Sequence, residues 1–471
     1  MTPRAWHPSR WPALLTAPVD PLALAAFRVV FGLAMVGWVL KHLHPDLLWS
    51  QYVAPRFYFT YPGFDWVQPW SPKAMYTHFY VMGAAALGVA LGLFFRLSII
   101  LFFVSYSYVF LLDKTPYNNH YWLIILVSGL LILMDAACVL SVDALLWRRR
   151  NVRVPQWNLT LLKAQVLLVY FFGGVAKLNA DWLLHGLPLR LWLAARADWP
   201  VVGPWFSEAW LAQGMSIAGM VFDLSIAPLV LWRRSRGVAL VLICGFHTTN
   251  QMLFSIGVFH ALMLFGSVLF VEPETLRRAL RRVLPQADTP SPPLRTWLPA
   301  PAVTALVAGY LGIQAVLPFQ HLMYPGSMAW TEEGRFFAWQ SKARDKAVKG
   351  RLSMQDGPEG QPQDVDVERH LSPLQVQQMY RRPDMLWQYA QFLAADRRKV
   401  GWQDPIIHAH VEASLNGRPF APLINPEVNL AAVRDPLWRH APWILPMPQT
   451  DPPAPLAELT RAGDGVKRGV P

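Results

Sequence analysis

Lys177 closes the apolar stretch LLVYFFGGVAKL and is the most useful single chemical group in this sequence. Burial at the end of such a helix penalises the ammonium, so a fraction of free amine suits it to accept a proton. The plain alternative is a lysine that snorkels its head to the membrane interface. His247, Asn250 and Gln251 stand at i, i+3 and i+4, one face of a helix. Asp113, Lys114, Asn118, Asn119 and His120 join two further apolar stretches, and His260 opens another. A lone histidine in such a place is usually a satisfied packing residue. Donors, acceptors and titratable groups brought to one depth by four segments point to a functional site. The Gly173-Gly174 pair before Lys177 permits close approach of a helix or a ligand.

Arg28, Asp135 and Asp223 lie well inside apolar runs. Ionisable groups in lipid are costly and are functional candidates by default. For these three the expected role is structural, as ion pairs or hydrogen bonds that fix the helix bundle. Other chemistries lack their signatures. There is no GxxxxGK[ST], HExxH, CxxC or GxSxG pattern, and the two cysteines, Cys138 and Cys244, sit inside apolar runs with neither disulfide nor zinc spacing. His42 and His44 have only Asp46 as a nearby carboxylate, so no metal site is expected.

The elements that must position these groups follow from composition. Of 471 residues, 54% are hydrophobic and 15% charged, where soluble domains carry about 25% charged residues. Apolar runs fall at 22–43, 75–95, 97–112, 120–140, 157–177, 216–232, 237–254, 257–271 and 300–318, each near the about 20 residues that span a bilayer as a helix. Nine spans are expected, although the third, sixth and eighth runs are short and a merged or re-entrant pair changes the count by one or two. The first run is too long for a signal-peptide core and has no small-residue cleavage site, so no cleavable signal is expected.

The net charge of +12 would suit nucleic acid if it were spread over a surface, but the basic residues cluster beside the apolar runs and read as topology instead. With the N-terminus inside, 15 basic residues from Arg4 to Arg295 fall on the cytoplasmic side, against five outside: Arg56, Lys73, Lys114, Arg190 and Arg196. Nine spans then leave the C-terminus outside. Tryptophan and tyrosine concentrate at 49–80 and 182–205, as an interfacial belt or a lid over the outer face.

Beyond residue 319 the apolar density falls. Residues 346–355 and 362–369 flank a QDGPEG turn and predict a hairpin. Ser372 predicts a helix start, with a helix to about 397 interrupted at Pro383, and 405–415 alternates toward the turn at Asn416-Gly417. The fold class is therefore an α-helical polytopic membrane protein of about nine transmembrane helices with a small C-terminal α+β extramembrane domain. The expected division is 1–318 for the membrane domain, 319–450 for the outer domain and 451–471 for a disordered tail rich in Pro, Gly and charge. No internal repeat stands out.

The motifs LLDKTPYNNHYW at 111–122 and VYFFGGVAKLNADW at 169–182 resemble those of the vitamin K-dependent gamma-carboxylase family in its bacterial HTTM-domain form. The likeness continues in DPLALAAFRVVFG, in SVDALL, in FHTTNQMLFSIGVF at 246–259 and in RRPDMLWQYAQFL at 381–393, covering about residues 20–435 in one order. The resemblance implies a membrane enzyme that uses a reduced quinone, vitamin K or menaquinol, with O2 and CO2 to carboxylate glutamate side chains while forming the quinone epoxide. It implies Lys177 as the base that deprotonates the quinol and His120 as the histidine of the NNH motif. Asn118, Asn119, His247, Asn250 and Gln251 are then the expected quinol- or substrate-binding groups. The implied partners are the bilayer and a glutamate-containing peptide or protein, with no nucleic acid, and the implied setting is a bacterial inner membrane with a cytoplasmic N-terminus and a periplasmic C-terminal domain.

Two departures stand beside the base: Ala176 replaces the family's second lysine, and Asn179 replaces the usual aspartate of LDADW. The chain also ends soon after INPEVNL, without the long outer region with which the animal enzymes help bind a propeptide. Two other functions remain open at this level: quinol oxygenation without peptide carboxylation, and a transporter or assembly protein whose polar groups line a solute path.

Overall fold

The computed structural model describes residues 10–147, 152–254, 257–281, 298–340, 343–434 and 439–451. Residues 452–471 of the expected tail, and the basic residues Arg4, Arg148, Arg149, Arg150, Arg282 and Arg295, lie outside the described residues. All nine apolar runs fold as helices. In chain order they are α1 (Leu22–His42), α2 (Pro72–Leu91), α3 (Phe95–Leu112), α4 (Asn119–Leu133), α5 (Gln156–Val175), α6 (Ala209–Leu231), α7 (Arg236–Phe254), α8 (Val258–Gly266) and α9 (Ala300–Val316).

Nine spans are not confirmed by helix length and composition. Among the described residues seven are long and apolar enough to cross a bilayer, or eight if α8 and the helix at Pro273–Ala279, bent by 108° from it, count as one. The fourth run stops short: α4 has 15 residues, about 22 Å at 1.5 Å per residue, against a hydrocarbon core of about 30 Å. Its end has a physical cause in Arg28. That guanidinium, fully buried on α1, donates to the carbonyls of Ala136, Leu140, Val89 and Ala90, and so holds residues 134–141 in an irregular path beside the end of α2. Gly92 caps α2 with φ 62°, and a Cβ there would lie 2.3 Å from Arg28 Nη1, so only glycine fits. Asp135, expected inside a span, instead lies beyond α4, partly exposed, 3.2 Å from Arg96.

The C-terminal region is the expected α+β unit. Strands β1 (Lys346–Asp356), β2 (Gln363–Asp364), β3 (Pro405–Leu415) and β4 (Ala421–Pro422) form one antiparallel sheet in the order β2-β1-β3-β4. The hairpin forms, but its second arm is reduced to Gln363–Asp364, because 367–369 turns into a 3-10 helix. The main pairing is long-range: β1 and β3 match along their whole length, Lys346 opposite Leu415 and Asp356 opposite Pro405. Ile407, Ala409, Val411 and Ala413 alternate inward, under α10 (Pro373–Arg381) and α11 (Pro383–Lys399). Ser372 caps α10 in a reciprocal box with Gln375, and Asn416-Gly417, at φ 52° and 79°, make the turn after β3.

This domain is tied to the loops at one end of the helices. Phe59, from the loop between α1 and α2, belongs to its hydrophobic core. Gln375 donates to Phe57 O and to Asp113, Lys114 pairs with Asp384 at 2.5 Å, and Arg382 donates to Lys114 O. Burial pushes the Asp113 carboxyl up to about 6 against the bonds it accepts from Thr115 and Gln375. On the other side Asp181 takes a two-pronged pair from Arg418, at 2.6 and 2.8 Å, and a bond from Asn416.

Candidate active site

Where the C-terminal domain meets the ends of α5, α6 and α7 there is a cavity of about 1090 Å³. Tyr170, Gly173 and Lys177 face it from α5 and the turn beyond, a spacing of three and four that keeps them on one side of a helix. Lys177 is nearly buried, and its Nζ donates to Gly173 O at 2.9 Å and to Asp223 Oδ2 at 2.6 Å. The amine also sits 5.3 Å from the Trp182 ring, whose Nε1 is fixed by Ser216 O at 2.7 Å. The glycine pair has a direct role in this approach. A Cβ on Gly174 would come within 2.7 Å of Leu224, so α5 and α6 pack closely enough for lysine and carboxylate to meet only because that side chain is absent.

Asp223, assigned to bundle packing at the level of sequence, is therefore the partner of Lys177. The two side chains form one hydrogen-bonded ion pair rather than a lysine beside a spectator. Beside them, buried His247 accepts or donates a 2.7 Å hydrogen bond with the Tyr170 hydroxyl through Nε2, while its Nδ1 is buried with no partner among the described residues. The direction of that bond depends on the imidazole tautomer. Phe222 and Phe246 stack at 4.1 Å on the same wall. His120 approaches from α4 with its ring 5.8 Å from Phe259, and Asn119 accepts from the Tyr117 hydroxyl at 3.1 Å.

The structure thus brings Lys177, Asp223, His247, Asn250, Asn118, Asn119 and His120 to one cavity. Gln251, Asp113, Lys114 and His260 do not line it. Asp113 and Lys114 instead anchor the C-terminal domain, and His260 bonds back to Gly257 O. Tyr170 and Trp182 were not singled out from sequence, although Tyr170 lies seven residues before Lys177, two turns away on one helical face.

Sequence reading also missed the far wall of the cavity. There the C-terminal domain contributes Arg335, Arg344, Lys346, Arg381 and Arg382. Glu332 lies behind them, 3.0 Å from Arg335, 2.5 Å from Arg344 and 3.7 Å from Lys346. Burial alone would raise the Glu332 carboxyl, but Arg344, Arg335 and Lys346 hold it down at about 2. Burial, with Arg344, Arg335 and Arg381 alongside, pulls the Lys346 ammonium down to about 7 although Glu332 opposes this. Burial likewise lowers Arg344 and Arg382 to about 10. Among the described residues no group of three or more His, Cys, Asp or Glu side chains is placed to hold a metal ion.

A membrane helical bundle roofed by an α+β domain, with a buried lysine–carboxylate pair facing the cavity between them, defines the class: a polytopic membrane protein with a polar cavity under an extramembrane domain. Residues 16–274 match the HTTM domain family, and residues 299–450 match the family of the vitamin K-dependent gamma-carboxylase lumenal domain. The chain belongs to the vitamin K-dependent gamma-carboxylase family. No solved structure matches it.

Proposed function

We propose that this integral membrane protein couples oxygenation of a reduced naphthoquinone to its epoxide with addition of CO2 to glutamate side chains, with Lys177 as the initiating base. The observation that carries this reading is the Lys177–Asp223 pair, held at 2.6 Å in a cavity with aromatic walls. A flat hydroquinone head fits between such walls, its hydroxyl directed at the amine and its isoprenoid tail left toward the lipid. The oxygenated quinol supplies a base strong enough to remove a carbon-bound proton, and the carbanion so formed adds CO2.

The chain's own residues do the rest. Lys177 takes the hydroxyl proton, and Asp223 holds Nζ in place and stabilises the ammonium that results. The Tyr170–His247 pair, with Asn119 and His120 opposite, orients the head and offers hydrogen bonds to developing negative charge. The C-terminal roof and the apolar helices exclude water, which would otherwise quench a strong base and a carbanion. In this reading the N-terminus is cytoplasmic, the C-terminal domain is periplasmic in a bacterial inner membrane, and menaquinol is the natural quinol.

The test is to incubate the purified protein with menaquinol or vitamin K quinol, O2, labelled CO2 and a glutamate-containing peptide. Epoxide together with label in the peptide supports the full reading. Epoxide without label reduces it to quinol oxygenation alone, and neither product sinks both.

A further inference from the structure

Lys177 and the C-terminal domain are joined through one short helix. Asn179, whose N–H donates to Lys177 O at 2.9 Å, caps that helix, Ala180–His185, by accepting from Trp182 N at 3.0 Å. Neighbouring residues on a helix point about 100° apart, and here Asp181 and Trp182 go to different places. Asp181 takes the paired bonds of Arg418 and a 2.6 Å bond from Asn416, both on the C-terminal domain. Trp182, 5% exposed, turns into the cavity, where its Nε1 is fixed on Ser216 O and its ring lies 5.3 Å from Lys177 Nζ. Gly186 ends the helix at φ 61°, and a Cβ there would lie 2.9 Å from Gln213 N, so the turn is seated closely on α6. The amine thus has three neighbours: Gly173 O, Asp223 and the Trp182 ring. The first two belong to the helix bundle, and the third is tied to the roof.

We propose that Trp182 is a positioning residue for Lys177 and that the Asp181–Arg418 clasp sets Trp182, so that the base is fully assembled only when the C-terminal domain is docked. The functional consequence rests on reading Lys177 as the base, whereas the relay itself is a matter of geometry. An aromatic face within about 6 Å of an ammonium attracts it, more strongly where water is excluded. Without the ring, the flexible lysine stem has other rotamers open to it. The Arg418 fork holds both oxygens of Asp181, which fixes the carboxylate in direction as well as in position. Because Trp182 is next in the chain, a helix turn freed at Asp181 moves the ring with it. The base is thereby withheld until the roof closes. Quinol in an open cavity meets a lysine that is not yet held, and the reaction starts only in a site that water cannot enter.

Pulse labelling of the full chain in lipid nanodiscs with an amine-reactive succinimidyl ester, read at Lys177 by mass spectrometry, tests the relay. It needs no quinol, O2 or CO2, so its outcome is separate from whether Lys177 acts as a base. Exposed Lys399 is the internal reference. Trp182→Leu and Arg418→Gln should each raise Lys177 labelling about tenfold. Trp182→Phe, which keeps an aromatic face, should stay within about threefold of wild type. The double variant Trp182→Leu with Arg418→Gln should label no more than about twofold faster than Trp182→Leu alone, because the clasp acts through the ring. Asp181→Asn takes the place of Arg418→Gln should that variant fail to fold. Where the wild type forms epoxide, Arg418→Gln should lower kcat about tenfold at an unchanged KM for quinol. Labelling within about twofold of wild type in both single variants, equal labelling of Trp182→Phe and Trp182→Leu, or multiplied effects in the double variant would each overturn the relay. Absence of epoxide in the wild type would sink the base assignment and leave the labelling result standing.

Discussion

Lys177, in the turn beyond α5, and Asp223, on α6, are 46 residues apart, yet Nζ and Oδ2 lie at 2.6 Å with both side chains nearly buried. Neither group can be altered without regard to the other.

The first prediction concerns stability. Lys177→Ala or Asp223→Ala alone strands one buried ionisable partner and should destabilise the protein by about 3 kcal/mol, whereas the double variant Lys177→Met with Asp223→Leu should recover most of that loss. Thermal melts in detergent give the three values. Additive losses in the double variant would mean that the pair is not a coupled unit.

A second prediction concerns activity. Lys177→Arg keeps a cation opposite Asp223 but cannot accept a proton, so epoxide formation should fall at least about 10²-fold while the melting temperature changes little. Retention of more than about a tenth of the wild-type rate would leave Lys177 as a structural or snorkelling residue.

The clasp between Asp181 and Arg418 makes a prediction for the roof. Desolvation would raise the Asp181 carboxyl, but the bonds from Arg418 and Asn416 and the Arg418 charge prevail and hold it below its ordinary value. A depressed carboxyl stabilises the folded state above about pH 4, and its contribution fades as pH falls through the lowered value. Arg418→Gln should therefore loosen the domain by about 2 kcal/mol at neutral pH and much less in acid. Limited proteolysis of the C-terminal domain reports it, and equal cleavage rates for variant and wild type at pH 7 would remove the clasp from the account.

Orientation is tested separately. Alkaline phosphatase fused after residue 450 should be active if the roof is periplasmic. Activity only from a cytoplasmic reporter at that point would invert the topology and move the cavity to the other face.

What could be read from sequence was what short-range pattern controls. Apolar runs located the helices, and Ser372 with Pro383 marked where α10 begins and α11 takes over. The i, i+3, i+4 spacing put His247 and Asn250 on one face. Asp135 was misplaced because its neighbours remain apolar while the helix has already ended, and the cause, Arg28 holding the carbonyls of Ala136 and Leu140, comes from another helix. The Lys177–Asp223 contact and the β1–β3 register depend on how distant segments pack. The arginine wall was hidden for the same reason: Arg335, Arg344 and Arg381 lie on separate segments of a domain whose position over the helix ends no local pattern encodes.

Phe59 gives the order of assembly a meaning of its own. Because this ring from the loop between α1 and α2 is part of the hydrophobic core of the C-terminal domain, that later-made domain cannot complete its interior until an earlier-made loop has reached the same side of the membrane. The roof closes only over a correctly inserted bundle, so a misoriented chain would lack not only its lid but also the fold of that lid.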